Sequence, residues 1–375
     1  PPPPPKTLFP YTTLFRSTSS SIGRKFIMAL TGACLVLFVT FHCVMNAIAL
    51  VWPTAYNVIC EFLGANWYAL VASMGLALLF IIHIIWASML TIQNRRARGN
   101  QRYSISKNAP GVEWSSKNMY VLGVVILAFL VVHLIQFWAK MQLAEIEGHE
   151  GIIPVQAGTI FIQEAFKCAW TPVVYIIGFV ALWFHMNHGF WSMFQTIGWN
   201  NTIWIQRLKK VSAWWTSIVV ALFVAQALVF TVKANQDYYT TNNALRNQYV
   251  GMVLDNLGMG GNQSIEYDAF KEQATQAYSQ ILSLNEQQKQ MIRNQSPEFD
   301  KEVEKITNMY QFLNYLEGKD INAKPELPQF NPMMMPQGMP QGEKVEVSEE
   351  EVTAEEVPAE NAAAAAEADN NTVNQ

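Results

Sequence analysis

Leu182-Trp183-Phe184-His185-Met186-Asn187-His188-Gly189-Phe190-Trp191 decides how this chain folds. The stretch is apolar enough to lie in a lipid bilayer, yet it carries two histidines. An ionisable side chain at membrane depth is costly without a partner and marks function by default. Three other apolar stretches each carry one more: His42, His83 and His133.

Working outward, five segments approach or exceed the twenty or so residues that cross a hydrocarbon core as a helix. They span roughly 26–52, 67–92, 118–141, 170–194 and 212–233, and only the fifth lacks histidine. The expected fold class is therefore an all-α membrane protein, a five-helix transmembrane bundle over 19–236. A polar, partly helical extension follows over 237–324, and residues 325–375 have a disordered Met/Pro-rich and acidic composition. Residues 1–18, which open on five prolines, lack the apolar core and cleavage site of a signal peptide. They read as a disordered or non-native leader.

Only 14% of the 375 residues are charged, far below the quarter usual in soluble domains. The net charge of −4 conceals a division: residues 343–375 carry ten acids and one lysine, a net −9, leaving +5 on residues 1–342. Neither value suggests a nucleic-acid partner. Arg95, Arg96, Arg98, Arg102, Lys107 and Lys117 lie between segments two and three, and Arg207, Lys209 and Lys210 between four and five. The other two connections are poor in basic residues. The positive-inside rule then predicts a cytoplasmic N-terminus in a bacterial inner membrane, with the C-terminal extension outside.

Depth sorts the histidines. At about 1.5 Å per residue, His42 and His133 sit roughly 24–26 Å from the cytoplasmic end, His83 about 18 Å, His185 about 15 Å and His188 about 10 Å. Two pairs on four helices result: His42 with His133, the outer pair, and His83 with His185, the inner one. Paired imidazoles at one depth are what two bis-histidine b haems need, each imidazole filling an axial position of the iron. Glycines 32, 75, 123 and 178, two to three turns before the histidines, suit a flat macrocycle, although glycine is common in membrane helices anyway. A histidine-lined metal transporter is the main rival. It predicts carboxylates beside the histidines, and these segments have none at that depth.

The chain at this point resembles the diheme cytochrome b membrane-anchor subunits of succinate:quinone oxidoreductases, the succinate dehydrogenases and fumarate reductases. The resemblance covers residues 19–236 and rests on Thr31-Gly32-Ala33-Cys34-Leu35 through Phe41-His42, on Phe80-Ile81-Ile82-His83, on Val131-Val132-His133-Leu134, and on His185-x-x-x-Gly189-Phe190-Trp191-Ser192. The spacing to Gly189 selects His185 over His188, which becomes a neighbouring or propionate-side residue. The resemblance implies electron transfer from an iron–sulfur subunit, itself fed by a flavoprotein subunit carrying FAD, through the two haems to membrane quinone, usually menaquinone. It implies no dicarboxylate chemistry in this chain. Candidate quinone-site residues are Glu61, in the outer turn, and Asn46, one turn beyond His42. A glutamate that some fumarate-reducing members carry two residues before the fourth ligand is Trp183 here. The cytochrome b subunit of another respiratory complex, of formate dehydrogenase or hydrogenase type, is the alternative reading, and a dimer of complexes stays open.

Two questions about sulfur stay open. Cys60 and Cys168 fall in outer connections where a disulfide survives. Met333-Met334-Met335 with Met339 offers soft thioethers of the kind that hold copper(I), against a plain low-complexity reading.

Overall fold

The computed structural model describes residues 21–64, 66–99, 113–148, 151–199, 201–259 and 265–325. The leader, most of the basic connection at 100–112 and the acidic tail with its methionine run lie outside them. Among the described residues every regular element is helical.

Five helices are long and apolar enough to cross a membrane: Ile22–Val51, Trp67–Ala97, Trp114–Glu147, Thr171–Thr196 and Thr202–Asn235. The chain is thus built as a multi-pass membrane protein. Each helix outruns its apolar stretch by a few residues, because the hydrogen-bond ladder continues into polar flanks. We call the first α1 (Ser21–Val51). It breaks at Trp52, and Pro53 opens a short helix, α2 (Pro53–Gly64), at the first position, where a missing N–H costs nothing. Next come α3 (Trp67–Arg98) and α4 (Trp114–His133). Immediately after His133 the ladder widens to a π-helix over Leu134–Leu143 and closes with a single α-helical turn, α5 (Ala144–Glu147). Then follow α6 (Gly158–Lys167), α7 (Thr171–Thr196) and α8 (Thr202–Asn235), whose N-terminus is capped by Asn201 accepting from the Trp204 N–H at 2.8 Å. Helices α2 and α6 occupy stretches that read from sequence as plain loops.

Large apolar side chains remain exposed along the long helices, among them Leu37, Val71, Leu78, Ile135 and Ile177. In lipid this carries no penalty, since acyl chains are as apolar as leucine. Close approach between helices instead uses small residues. A methyl group added at Gly178 of α7 would lie 2.5 Å from the Phe129 ring of α4, so only glycine allows that contact.

Beyond α8 the chain turns through Asp237, the one non-glycine residue of positive φ among those described (51°). That turn is held by α6: Gln163 donates to the Ala234 carbonyl (2.7 Å) and to Asp237 (2.9 Å), and Lys167 pairs with Asp237 at 2.6 Å. The extension then forms α9 (Tyr238–Thr241), α10 (Asn243–Asn256), α11 (Tyr267–Ser283), α12 (Glu286–Gln295) and α13 (Phe299–Leu316). Its core of Leu245, Tyr249, Val250, Phe270, Phe312, Leu313 and Leu316 is almost wholly buried. Each such side chain is worth about 1.5–3 kcal/mol relative to exposure in water.

The extension lies against α2 and α6 through a buried polar network. Asn57 accepts from the Thr159 N–H (3.0 Å) and donates to Gln248 (3.0 Å), which itself donates to the Thr54 carbonyl (2.9 Å). The Tyr249 hydroxyl donates to the Tyr239 carbonyl (3.0 Å) and lies 2.7 Å from the Thr159 hydroxyl, which donates to Asn57 Oδ1 at 2.9 Å. Burial pushes the Tyr249 phenol well above its ordinary range. Cys60 and Cys168 are free thiols, not a bridged pair; Cys60 is half-buried beside Tyr56, and loss of solvent pushes its thiol up to about 12.

Candidate functional site: paired histidines within the bundle

The four histidines of the four helices meet in twos. His42 of α1 and His133 of α4 have ring centroids 5.8 Å apart, and His83 of α3 and His185 of α7 have theirs 6.3 Å apart. No group of three or more His, Cys, Asp or Glu residues that would enclose a metal ion occurs among the described residues, so the unit of the site is the pair.

Metals bind imidazole nitrogen at about 2.0–2.1 Å, and each nitrogen lies about 1.1 Å from its ring centre, so two imidazoles on opposite sides of one ion have centroids about 6.3 Å apart. The inner pair has that separation and the outer pair is half an ångström shorter. Ordinary edge-to-face ring contacts span 4.5–7 Å as well, so distance alone does not distinguish the two. The hydrogen bonds at the ring nitrogens carry more information.

Thr31 Oγ1 lies 3.2 Å from His83 Nδ1 and donates its own proton to the Ile27 carbonyl at 2.9 Å. With the hydroxyl proton on a backbone carbonyl, Ile27 or Met28 (3.2 Å), the oxygen can accept from His83 in its Nδ1–H tautomer. The outer pair repeats the logic. Tyr175 OH lies 3.1 Å from His133 Nδ1 and donates to Gln136 Oε1 at 2.9 Å, while Gln136 Nε2 donates to the Thr171 hydroxyl at 3.2 Å. One histidine of each pair thus has a hydroxyl at Nδ1 placed to accept from the Nδ1–H tautomer, which leaves the lone pair on Nε2. A protein ligand to a metal is oriented in this way, through a hydrogen bond at the other ring nitrogen. In the inner pair, His185 Nδ1 is buried without a hydrogen-bond partner.

Space around the inner pair fits a flat group. A methyl group on Gly32 would lie 3.7 Å from His83 Cε1, and one on Gly123 would lie 3.6 Å from His185 Cε1. Both glycines face a histidine of another helix, so any larger side chain at either place enters the space beside the rings. Gly75 has nothing within 4 Å, and Gly178 serves helix packing. Aromatic rings close the outer pair: Phe38 stacks on His42 at 5.5 Å, Phe223 of α8 is 6.2 Å from it, and Phe129 and Phe137 flank His133 at 6.0 and 5.2 Å.

His188 belongs elsewhere. Its Nδ1 lies 3.3 Å from Glu113 Oε2, the other oxygen of that carboxylate is 2.8 Å from Lys209, and both bases lie against the Trp191 ring. Burial raises the Glu113 carboxyl, but Lys209 and His188 outweigh it and hold the group below its ordinary value. Trp183 donates its indole N–H to Ser217 at 3.0 Å.

Of the two residues named for a quinone, Asn46 has both ends engaged within the chain. Its amide donates to the His42 carbonyl (2.9 Å), and its oxygen accepts from the Tyr56 hydroxyl (3.0 Å). Glu61 is exposed on α2. Sequence reasoning did not single out Tyr175 or Gln136. The available signal was a glutamine three residues beyond His133 within an apolar run. No family model, curated protein or solved structure matches this chain.

Proposed function

We propose that the chain is the membrane-anchor cytochrome b subunit of a succinate:quinone oxidoreductase, a succinate dehydrogenase or fumarate reductase. In this reading His42 with His133 and His83 with His185 each hold one haem b, and electrons pass between an iron–sulfur subunit and membrane quinone. The observation that carries it is the meeting of four histidines from four helices in two pairs, one ring of each pair turned by a hydrogen bond at Nδ1. A haem held between two imidazoles supplies one-electron carriage without ligand exchange. The chain's own part is positional. Thr31 and Tyr175 fix the ligand tautomers, the glycines leave room for a planar ring, and apolar helices exclude water from both pairs.

The basic end, with Arg24, Lys25, Arg95, Arg96, Lys117 and Lys209, is the cytoplasmic side in this reading and the docking face for the iron–sulfur subunit. The rest of the complex is a flavoprotein carrying FAD. Quinone, menaquinone by the family resemblance, exchanges electrons at the far end, where the extension lies outside the cell. The chain itself does no dicarboxylate chemistry.

The test is the absorption spectrum of the purified chain and its pyridine haemochrome. Two b haems per chain are expected, and none would end the reading in favour of a transporter. Reduction of both haems by succinate in the purified complex identifies the enzyme, whereas reduction by formate or hydrogen assigns the subunit to another respiratory complex.

A further inference from the structure

A cleft of about 390 Å³ opens at the far end, where the third apolar span gives way to polar chain. Its walls come from four parts of the molecule: Ala144 on α5, Ile152 and Ile153 in the following turn, Phe161 on α6, and Ile321 after α13. Its polar groups are three. Lys140 pairs with Glu164 at 2.6 Å, and the Tyr315 hydroxyl donates to the other oxygen of Glu164 at 3.3 Å. Tyr315 and Ile321 belong to the extension, so the extension supplies one wall of the cleft. Its volume lies within the range of small-molecule sites, and its lining has their usual character, apolar walls with a few convergent polar groups.

The chemistry narrows the occupant. The cleft adjoins the last turn of a membrane-spanning helix, so an entrant arrives from the bilayer and is lipid-soluble. Lys140 and Glu164 cancel, so the polar end is neutral overall. A lipid phosphate would sit beside the Glu164 carboxylate, against like charge. A neutral ring bearing carbonyl oxygens meets no such cost. The Lys140 ammonium has three protons and spends one on Glu164, so protons remain for a carbonyl oxygen. The Tyr315 oxygen, its own proton committed, accepts from a hydroxyl, so the same groups suit the ring in its dihydroxy form.

We propose that this cleft binds the ring of a membrane-soluble quinone, with Lys140 and Tyr315 as its hydrogen-bond partners and the extension as its lid. The choice of quinone rests on the function proposed above, while the cleft and its neutrality do not. It locates the ring beside residues other than Glu61 and Asn46. Gly64 at the end of α2 abuts Glu145, so the two places adjoin along α5.

The experiment uses the full-length chain in nanodiscs and a photoreactive 2-methyl-1,4-naphthoquinone, with the labelled peptides read by mass spectrometry. Labelling is expected on the 151–161 segment and on the peptide containing Tyr315. Excess 2,3-dimethyl-1,4-naphthoquinone should remove it and phosphatidylglycerol should not. I153W, which fills the cleft, is expected to cut labelling about tenfold. E164Q, which leaves Lys140 uncompensated, is expected to let phosphatidylglycerol compete. Labelling confined to other segments, or unchanged in I153W, overturns the proposal, as does competition by phosphatidylglycerol in the unaltered chain. The readout needs no haem: a haem-free chain that still labels in the cleft sinks the cytochrome reading alone, and a two-haem chain without that label sinks the cleft alone.

Discussion

Replacing Tyr175 by phenylalanine removes one oxygen from the bundle and little else. The ring contacts to Phe129, Phe166 and Phe179, with centroids 5.0, 5.1 and 5.9 Å away, survive because the ring stays. The lost oxygen accepts from His133 Nδ1 and donates to Gln136, so the variant strands a buried ring N–H and one lone pair of the glutamine. A buried donor left without a partner costs about 1–3 kcal/mol. Loss of a hydrogen bond that orients a metal-ligating histidine typically costs 10–100-fold in metal affinity, and the two figures agree in size. Y175F is therefore expected to weaken haem binding by the His42–His133 pair about 10–100-fold and to leave the His83–His185 pair as it was. The assay is titration of the haem-stripped chain with haemin, following the two b-type bands separately. Equal weakening of both pairs would point to general loosening of the bundle. An unchanged outer pair would show that the Tyr175 bond does not orient a ligand.

Other variants address separate parts of the structure. H83A and H185A should each lose the same haem while H188A keeps both, and loss of a haem in H188A with H185A intact reverses the assignment of the fourth ligand. G178A forces a methyl group against Phe129 and should destabilise the bundle by about 1–3 kcal/mol, read as a lower unfolding midpoint in detergent. The extension should loosen in acid. Burial raises the Glu317 carboxyl, but Lys271 and Lys319 outweigh it and hold the group below its ordinary 4.5. With a folded value below the unfolded one, the stabilisation is full above pH 4.5 and is lost as pH falls beneath it. Protease nicking around α13 should therefore rise below pH 4.5 and should do so much less in E317Q.

Long apolar runs made the membrane helices legible, because a helix that must satisfy its backbone in lipid has few alternatives. The juxtaposition of histidines was legible for a similar reason: a helix crossing a slab turns residue count into depth, and counts of 17 and 16 from the flanking lysines bring His42 and His133 to one level. The turns of the far end were not legible. Pro53–Gly64 and Gly158–Lys167 are too short to show a period against their surroundings, and their burial is decided by the extension that lies on them. Thr31 read only as a small residue near a glycine. Its hydrogen bond to His83 crosses 52 residues of sequence, and no local pattern encodes that.

The contacts of Asn57 and Thr54 with Gln248 join residues 191 and 194 positions apart. The partner of the first inter-helix turn is thus made only after all five long helices. During synthesis the five long helices can find one another while Asn57 still lacks Gln248. That contact forms only once α10 has been made. Closing so long a loop is slow relative to local pairing. A chain interrupted near residue 236 would keep its membrane helices and leave Asn57 and the Thr54 carbonyl without their Gln248 partner.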